Sequence, residues 1–63
     1  MDIKIRINCD NAAFEGLGCG REIARILGRL SRAVRDSEAV ELEGWDEALR
    51  DINGNVVGHV EAS

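Results

Sequence analysis

Three side chains of metal-ligating type occur in this chain, Cys9, Cys19 and His59, and they are scattered. No CxxC or HxxxH pair sets two of them within one turn, the spacing from which zinc sites are usually built, so no metal is expected. Cys9 falls on the apolar phase of an alternating segment and is expected to pack as a small hydrophobe. Nucleophilic catalysis needs a Ser or Cys beside a base, and a single histidine near the C-terminus offers little toward one. Carboxylates are plentiful, but no spacing singles out two for acid and base roles. A chain of 63 residues also lacks the bulk to enclose a deep substrate pocket in addition to a core. The expectation is a protein that is not an enzyme and carries no cofactor.

Two further patterns bear on binding. Gly16-Leu17-Gly18-Cys19-Gly20-Arg21 lies between an expected strand and an expected helix, the setting of phosphate-cradling loops. The dinucleotide fingerprint wants glycine where Arg21 stands, and the phosphate loop wants Lys followed by Ser or Thr. The stretch therefore reads as a flexible linker. The second pattern is charge. The net charge is −4, but between Gly20 and Asp36 five arginines (Arg21, Arg25, Arg29, Arg32, Arg35) face only Glu22 and Asp36. From Asp36 to Asp51 follow Glu38, Glu41, Glu43, Asp46 and Glu47, with Arg50 the only cation. A basic middle followed by an acidic belt is an argument about partners rather than fold. The arginines suit a solvated ridge or phosphate contacts, yet overall acidity and missing aromatic interleaving argue against direct nucleic-acid binding. The belt suits imitation of a phosphate backbone: carboxylates seated in a basic groove, with Trp45 as an anchor.

These groups must be held by few elements. Ile3, Ile5 and Ile7 alternate with Asp2, Lys4, Arg6 and Asn8, predicting a half-buried strand over 2–8. Asp10-Asn11 breaks it, and Phe14 is expected to fold back on the core. Ile23, Ile26, Leu27, Leu30, Ala33 and Val34 recur at helical spacing, opposite the arginines, predicting an amphipathic helix over 20–36. Gly28 inside it suggests close approach of another backbone. Residues 39–43 alternate weakly, as a short strand or an extended loop. Asp51-Ile52-Asn53-Gly54-Asn55 signals a hairpin between strands at about 46–51 and 55–61, with Leu49 facing either Val57 or, on a two-residue Asn53-Gly54 turn, Gly58. The whole reads as one α+β domain over 1–63 in β-α-β-β order, one helix laid on a small antiparallel sheet. No window resembles a membrane span or a signal peptide, so a cytoplasmic protein with reduced thiols is expected.

The strings Asp10-Asn11-Ala12-Ala13-Phe14, Glu22-Ile23-Ala24-Arg25-Ile26-Leu27 and Leu49 to Gly58 resemble a group of very small phage and prophage proteins with an alternating first strand, an "ARIL" helix and an "NGN" hairpin. Some small acidic phage proteins of this kind are anti-CRISPR proteins. The resemblance implies a host-cell inhibitor, monomeric or homodimeric, that binds a basic nucleic-acid-binding subunit of a CRISPR effector complex and blocks DNA recognition. It carries over no catalytic residue. The expected contact set is Glu38, Glu41, Glu43, Trp45, Asp46, Glu47 and Asp51. Two other classes stand beside it: a small phage regulator working through the arginine ridge, and an assembly protein whose exposed strand edge pairs with a copy of itself.

Overall fold

A computed structural model of the chain describes residues 1–16, 18–36 and 42–63. Strand β1 spans Ile3–Ile7, a single 3-10 turn spans Ala12–Phe14, helix α1 spans Gly18–Asp36, and strands β2 and β3 span Asp46–Arg50 and Val56–Ala62. The sheet is antiparallel in the order β1-β3-β2, so the last strand of the chain lies in the middle. The α+β class and the amphipathic helix are as the periodicities predict.

The register explains which side chains go inside. Ile3, Ile5 and Ile7 stand opposite Ala62, Val60 and Gly58, while Glu47 and Leu49 stand opposite Val60 and Gly58 from the other flank. Directly opposed residues share a face, and this is the face turned toward α1, which buries Leu49 and Val60 but leaves Ile3, Ile5 and Glu47 exposed. Phe14, Ile26, Leu30, Leu49, Val57 and Val60 form the core, with Ile7, Cys9, Ala13, Cys19, Ile23 and Trp45 packed around it. Lys4, Arg6, Asp46, Ala48, His59 and Glu61 take the alternate phase and form the outer, exposed face.

One local reading is revised. The helix begins at Gly18, so Gly18, Cys19 and Gly20 are its first turn rather than a loop; Gly16, at φ 59°, makes the bend before it. The 3-10 turn is capped by the Asn11 side chain, which accepts from the Ala13 amide, and this packs Phe14 into the core. At the hairpin Leu49 pairs with Gly58 but Arg50 pairs with Val56, so Val57 is an extra residue on β3. Such a bulge lets two neighbouring residues turn to one side: Gly58 keeps the inner phase shared with Val60, and its neighbour Val57 is buried as well. The weak alternation at 39–43 lies mostly outside the described residues; Glu43 and Gly44 form a turn.

Gly28 also departs from expectation. Among the described residues a Cβ there would meet nothing closer than the Arg32 guanidinium, at 3.8 Å, so none of their backbone outside the helix approaches it. Its residual effect is helix propensity alone. Gly28→Ala should therefore stabilise the chain by about 1 kcal/mol, raising the thermal midpoint by about 4–8 °C. A calorimetric scan showing no rise, or a fall, would contradict this.

Candidate functional site

The expected acidic surface is partly assembled and partly taken apart by the fold. Glu38 and Glu41 lie outside the described residues. Glu43 is exposed in the turn leading to β2. That turn is tied down at both ends, since the Gly44 amide donates to Ala62 C=O at 2.8 Å and the Trp45 amide to Leu42 C=O at 2.9 Å. Gly44 sits at φ 90°, which a side chain would disfavour. Asp46 and Glu47 follow on β2, an edge strand, and both are exposed. Asp46 points to the outer face, where its carboxylate meets the His59 imidazole. Glu47 points to the helix side and accepts from Trp45 Nε1 at 3.2 Å. Trp45 is half-buried, its ring packed on the core and its one polar atom fixed by Glu47. Glu61, which the sequence reading left out, belongs to this group because β3 pairs it directly with Asp46; only the strand register reveals that.

Asp51 does not belong to the surface. It is 4 % exposed, and its carboxylate is consumed by the hairpin. One oxygen accepts from the Asn53 and Asn55 amides, both at 2.9 Å. The other accepts from Asn11 Nδ2 at 2.7 Å and Asn55 Nδ2 at 3.2 Å. Burial pushes this carboxyl up, but the donors from Asn55, Asn11 and Asn53 outweigh it and hold it below its ordinary value. Its role is to close the turn and tie it to the 3-10 segment, which removes it from any partner-binding set.

A second buried carboxylate was not anticipated. Glu22 is 6 % exposed. It accepts from Arg25 Nε at 2.6 Å and from the Ile52 amide at 2.7 Å. Arg25 in turn donates to Arg50 C=O at 3.0 Å. The Arg25 hydrogen bond, aided by the Ile52 amide, holds the Glu22 carboxyl below its ordinary value despite burial. The only sequence signal was the i, i+3 spacing of Glu22 and Arg25, which also fits an exposed pair.

Charge neutralisation decides whether an acidic surface survives. Among the described residues the ion pairs are Glu22–Arg25 and Arg35–Asp36, and Asp46 meets the His59 imidazole. None joins a helix arginine to Glu43, Asp46, Glu47 or Glu61. The ridge residues Arg21, Arg29 and Arg32 are exposed on the helix; Arg25 and Arg29 line one hollow with Glu47 and Arg50, so the basic ridge borders the acidic edge there without an ion pair to it.

The remaining motifs are absorbed by the fold. Cys9 and Cys19 are free thiols packed beside the core, while His59 lies on the outer face with Asp46. Burial, with a contribution from Cys19, pushes the Cys9 thiol up, away from a reactive thiolate. Among the described residues no group of three or more ligand-type side chains converges. At the start of α1 the Gly18 and Cys19 amides already donate to the Glu15 and Gly16 carbonyls, at 3.1 and 3.4 Å, so this terminus is poorly suited to cradle a phosphate. No described helix is long and apolar enough to cross a membrane. Comparison with protein-family models, with curated proteins and with solved structures finds no match for this chain.

Proposed function

We propose that this chain is a non-catalytic binding module that presents the acidic β2 edge, with Glu43, Asp46, Glu47 and Glu61, to a basic surface of a protein partner. The observation that carries this reading is that these carboxylates are exposed around one edge strand and its leading turn, without a helix arginine paired to any of them. Trp45 stiffens the site from behind by holding Glu47. Carboxylates fixed on a strand edge offer a basic groove the charge pattern of a phosphate backbone. The resemblance to small phage proteins supplies the narrower form of the proposal: an anti-CRISPR-type inhibitor in the host cell, bound to a nucleic-acid-binding subunit of a CRISPR effector complex. Two of the original contact residues, Glu38 and Glu41, precede this edge in the chain, and Asp51 is no longer among them.

The test is capture of a basic partner from a bacterial lysate at low and high salt. Capture should be lost at high salt and lost in the triple variant Glu43→Lys, Asp46→Lys, Glu47→Lys, by about tenfold or more for three reversed charges. Circular dichroism should stay native, because all three side chains are exposed. Undiminished capture by a folded triple variant removes the acidic edge from consideration.

A second reading is favoured by one observation: Arg21, Arg29 and Arg32 are exposed and unpaired among the described residues. A gel-shift titration distinguishes it. Steeply salt-dependent binding to duplex DNA points to the arginine ridge, and no shift leaves the acidic edge as the working surface.

A further inference from the structure

The flank opposite the acidic edge has a different character. Ile3 and Ile5, each 47 % exposed, Leu27 at 42 % and Val34 at 38 % line one trough between β1 and α1, together with Trp45 and Val60. Single exposed aliphatics are ordinary, but a contiguous group on one trough marks a contact surface. The cause is the width of the sheet: three strands are too few to cover the whole apolar stripe of a 19-residue helix.

Strand β1 is also an edge, and its hydrogen-bond phase is defined. Asp2 exchanges amide and carbonyl bonds with Ser63 at 2.6 and 3.0 Å, and the Asn8 amide donates to Val57 C=O at 2.7 Å. In an antiparallel ladder the bonded positions alternate, so Ile3, Ile5 and Ile7 aim their own amides and carbonyls away from the sheet. Of the usual protections of an edge, this strand has charges, Lys4 and Arg6, only on its outer face. It contains no proline and no bulge, and its helix-side residues are isoleucines rather than charges.

We propose that a second copy of this chain covers the trough, its β1 pairing antiparallel with β1 of the first about a two-fold axis at Lys4. This register sets Ile3 opposite Ile5 of the second copy, outward group to outward group. It also sets Asp2 opposite Arg6 of the second copy, and symmetry makes that attraction twice. The two Lys4 side chains meet at the axis, each with Glu61 directly across on its own β3. An axis at Ile5 instead sets Lys4 against Arg6 twice, opposing like charges. An axis at Ile3 also yields two opposite-charge pairs, Asp2 with Lys4, and avoids the Lys4–Lys4 contact, but it shortens the ladder to residues 1–5, moves Arg6 beyond it and sets Ile5 opposite Met1 instead of an isoleucine. The two sheets merge into one of six strands, and Leu27 and Val34 from both helices close over the joined isoleucines. A chain of 63 residues has a small core for its surface, so a shared apolar seam adds substantially to its stability. The inference concerns the β1 flank and shares only Glu61 and Trp45 with the proposed acidic surface; neither is changed in its test, so the two readings fail separately.

Sedimentation equilibrium of the full chain at micromolar concentration should return twice the 6.9 kDa of one chain. Leu27→Glu should return a monomer with an unchanged circular dichroism spectrum. Arg6→Asp should raise the dimer dissociation constant about tenfold or more, and adding Asp2→Arg to it should restore association, because the swap re-creates the attraction in reverse. A wild-type monomer throughout the soluble range overturns the proposal, as does a dimer indifferent to both Leu27→Glu and Arg6→Asp. Should Leu27→Glu fail to fold, the charge-swap pair decides: no recovery in the double variant counts against this register and this face.

Discussion

Gly58→Ala is expected to unfold the chain. A Cβ on Gly58 would overlap the Arg6 carbonyl oxygen and come within 2.9 Å of its carbon and 3.0 Å of Ile7 Cα. All three are backbone atoms of the neighbouring strand, which cannot swing aside as a flexible side chain would. Relief requires β1 to move off β3, and β1 is held to the sheet only through β3. The total stability of a chain this size is about 3–9 kcal/mol; overpacking typically costs about 1–3 kcal/mol and occasionally more, and an overlap with backbone that cannot yield lies at the top of that range or above it. The variant should show lost far-UV dichroism at room temperature or a urea midpoint moved most of the way to zero. Gly54→Ala is the comparison. Gly54 has φ 87° but open space around its Cβ direction, so the cost there is the left-handed backbone alone, about 1–2 kcal/mol. Equal stability losses at the two positions would show that the close strand approach at Gly58 is not the governing constraint.

The second large effect concerns Asp51 and the pH dependence that it confers with Glu22. Asp51→Asn keeps an oxygen for the Asn53 and Asn55 amides, but places an amide nitrogen against Asn11 Nδ2 and Asn55 Nδ2, where two donors now face a third. A buried donor without an acceptor costs far more than a net hydrogen bond contributes. The substitution should therefore lower the thermal midpoint much more than Asp46→Asn, whose carboxylate is exposed. The acid side follows from the same contacts. Both Asp51 and Glu22 titrate below their ordinary values in the folded chain. The unfolded chain then takes up protons first, so stability falls as the pH drops below about 4 and is retained above that range. Urea midpoints measured from pH 7 down to pH 2 should show this loss, with a shallower slope in Asp51→Asn. A wild-type profile flat through that range would mean that neither carboxylate is held in its charged form by the fold.

The elements were readable from local pattern because each has one strong period. Ile3, Ile5 and Ile7 alternate without interruption, and the stripe from Ile23 to Val34 repeats at helical spacing; both became the elements expected, within two residues at each end. Asp51-Ile52-Asn53-Gly54-Asn55 likewise announced its turn, since Asp and Asn bond to nearby amides and Gly accepts positive φ. The hairpin register was harder, because both pairings of Leu49 suit an alternating strand; the fold adopts Leu49 opposite Gly58, with the bulge at Val57 accommodating the mismatch.

What the amino-acid order determined by itself was therefore the class of fold, the inner face of each element and the segregation of arginines from carboxylates, all properties set by residues near one another in the chain. Which carboxylates reach solvent was decided only by tertiary structure. Asp46 and Asp51 are both acids on or beside one strand, yet one remains at the surface and the other is buried with four donors around it. Those donors come partly from Asn11, forty positions away. The joining of Glu61 to Asp46, the enclosure of Glu22 beneath the hairpin and the aliphatic trough beside β1 arise in the same way, from long-range strand order and a sheet too narrow for its helix.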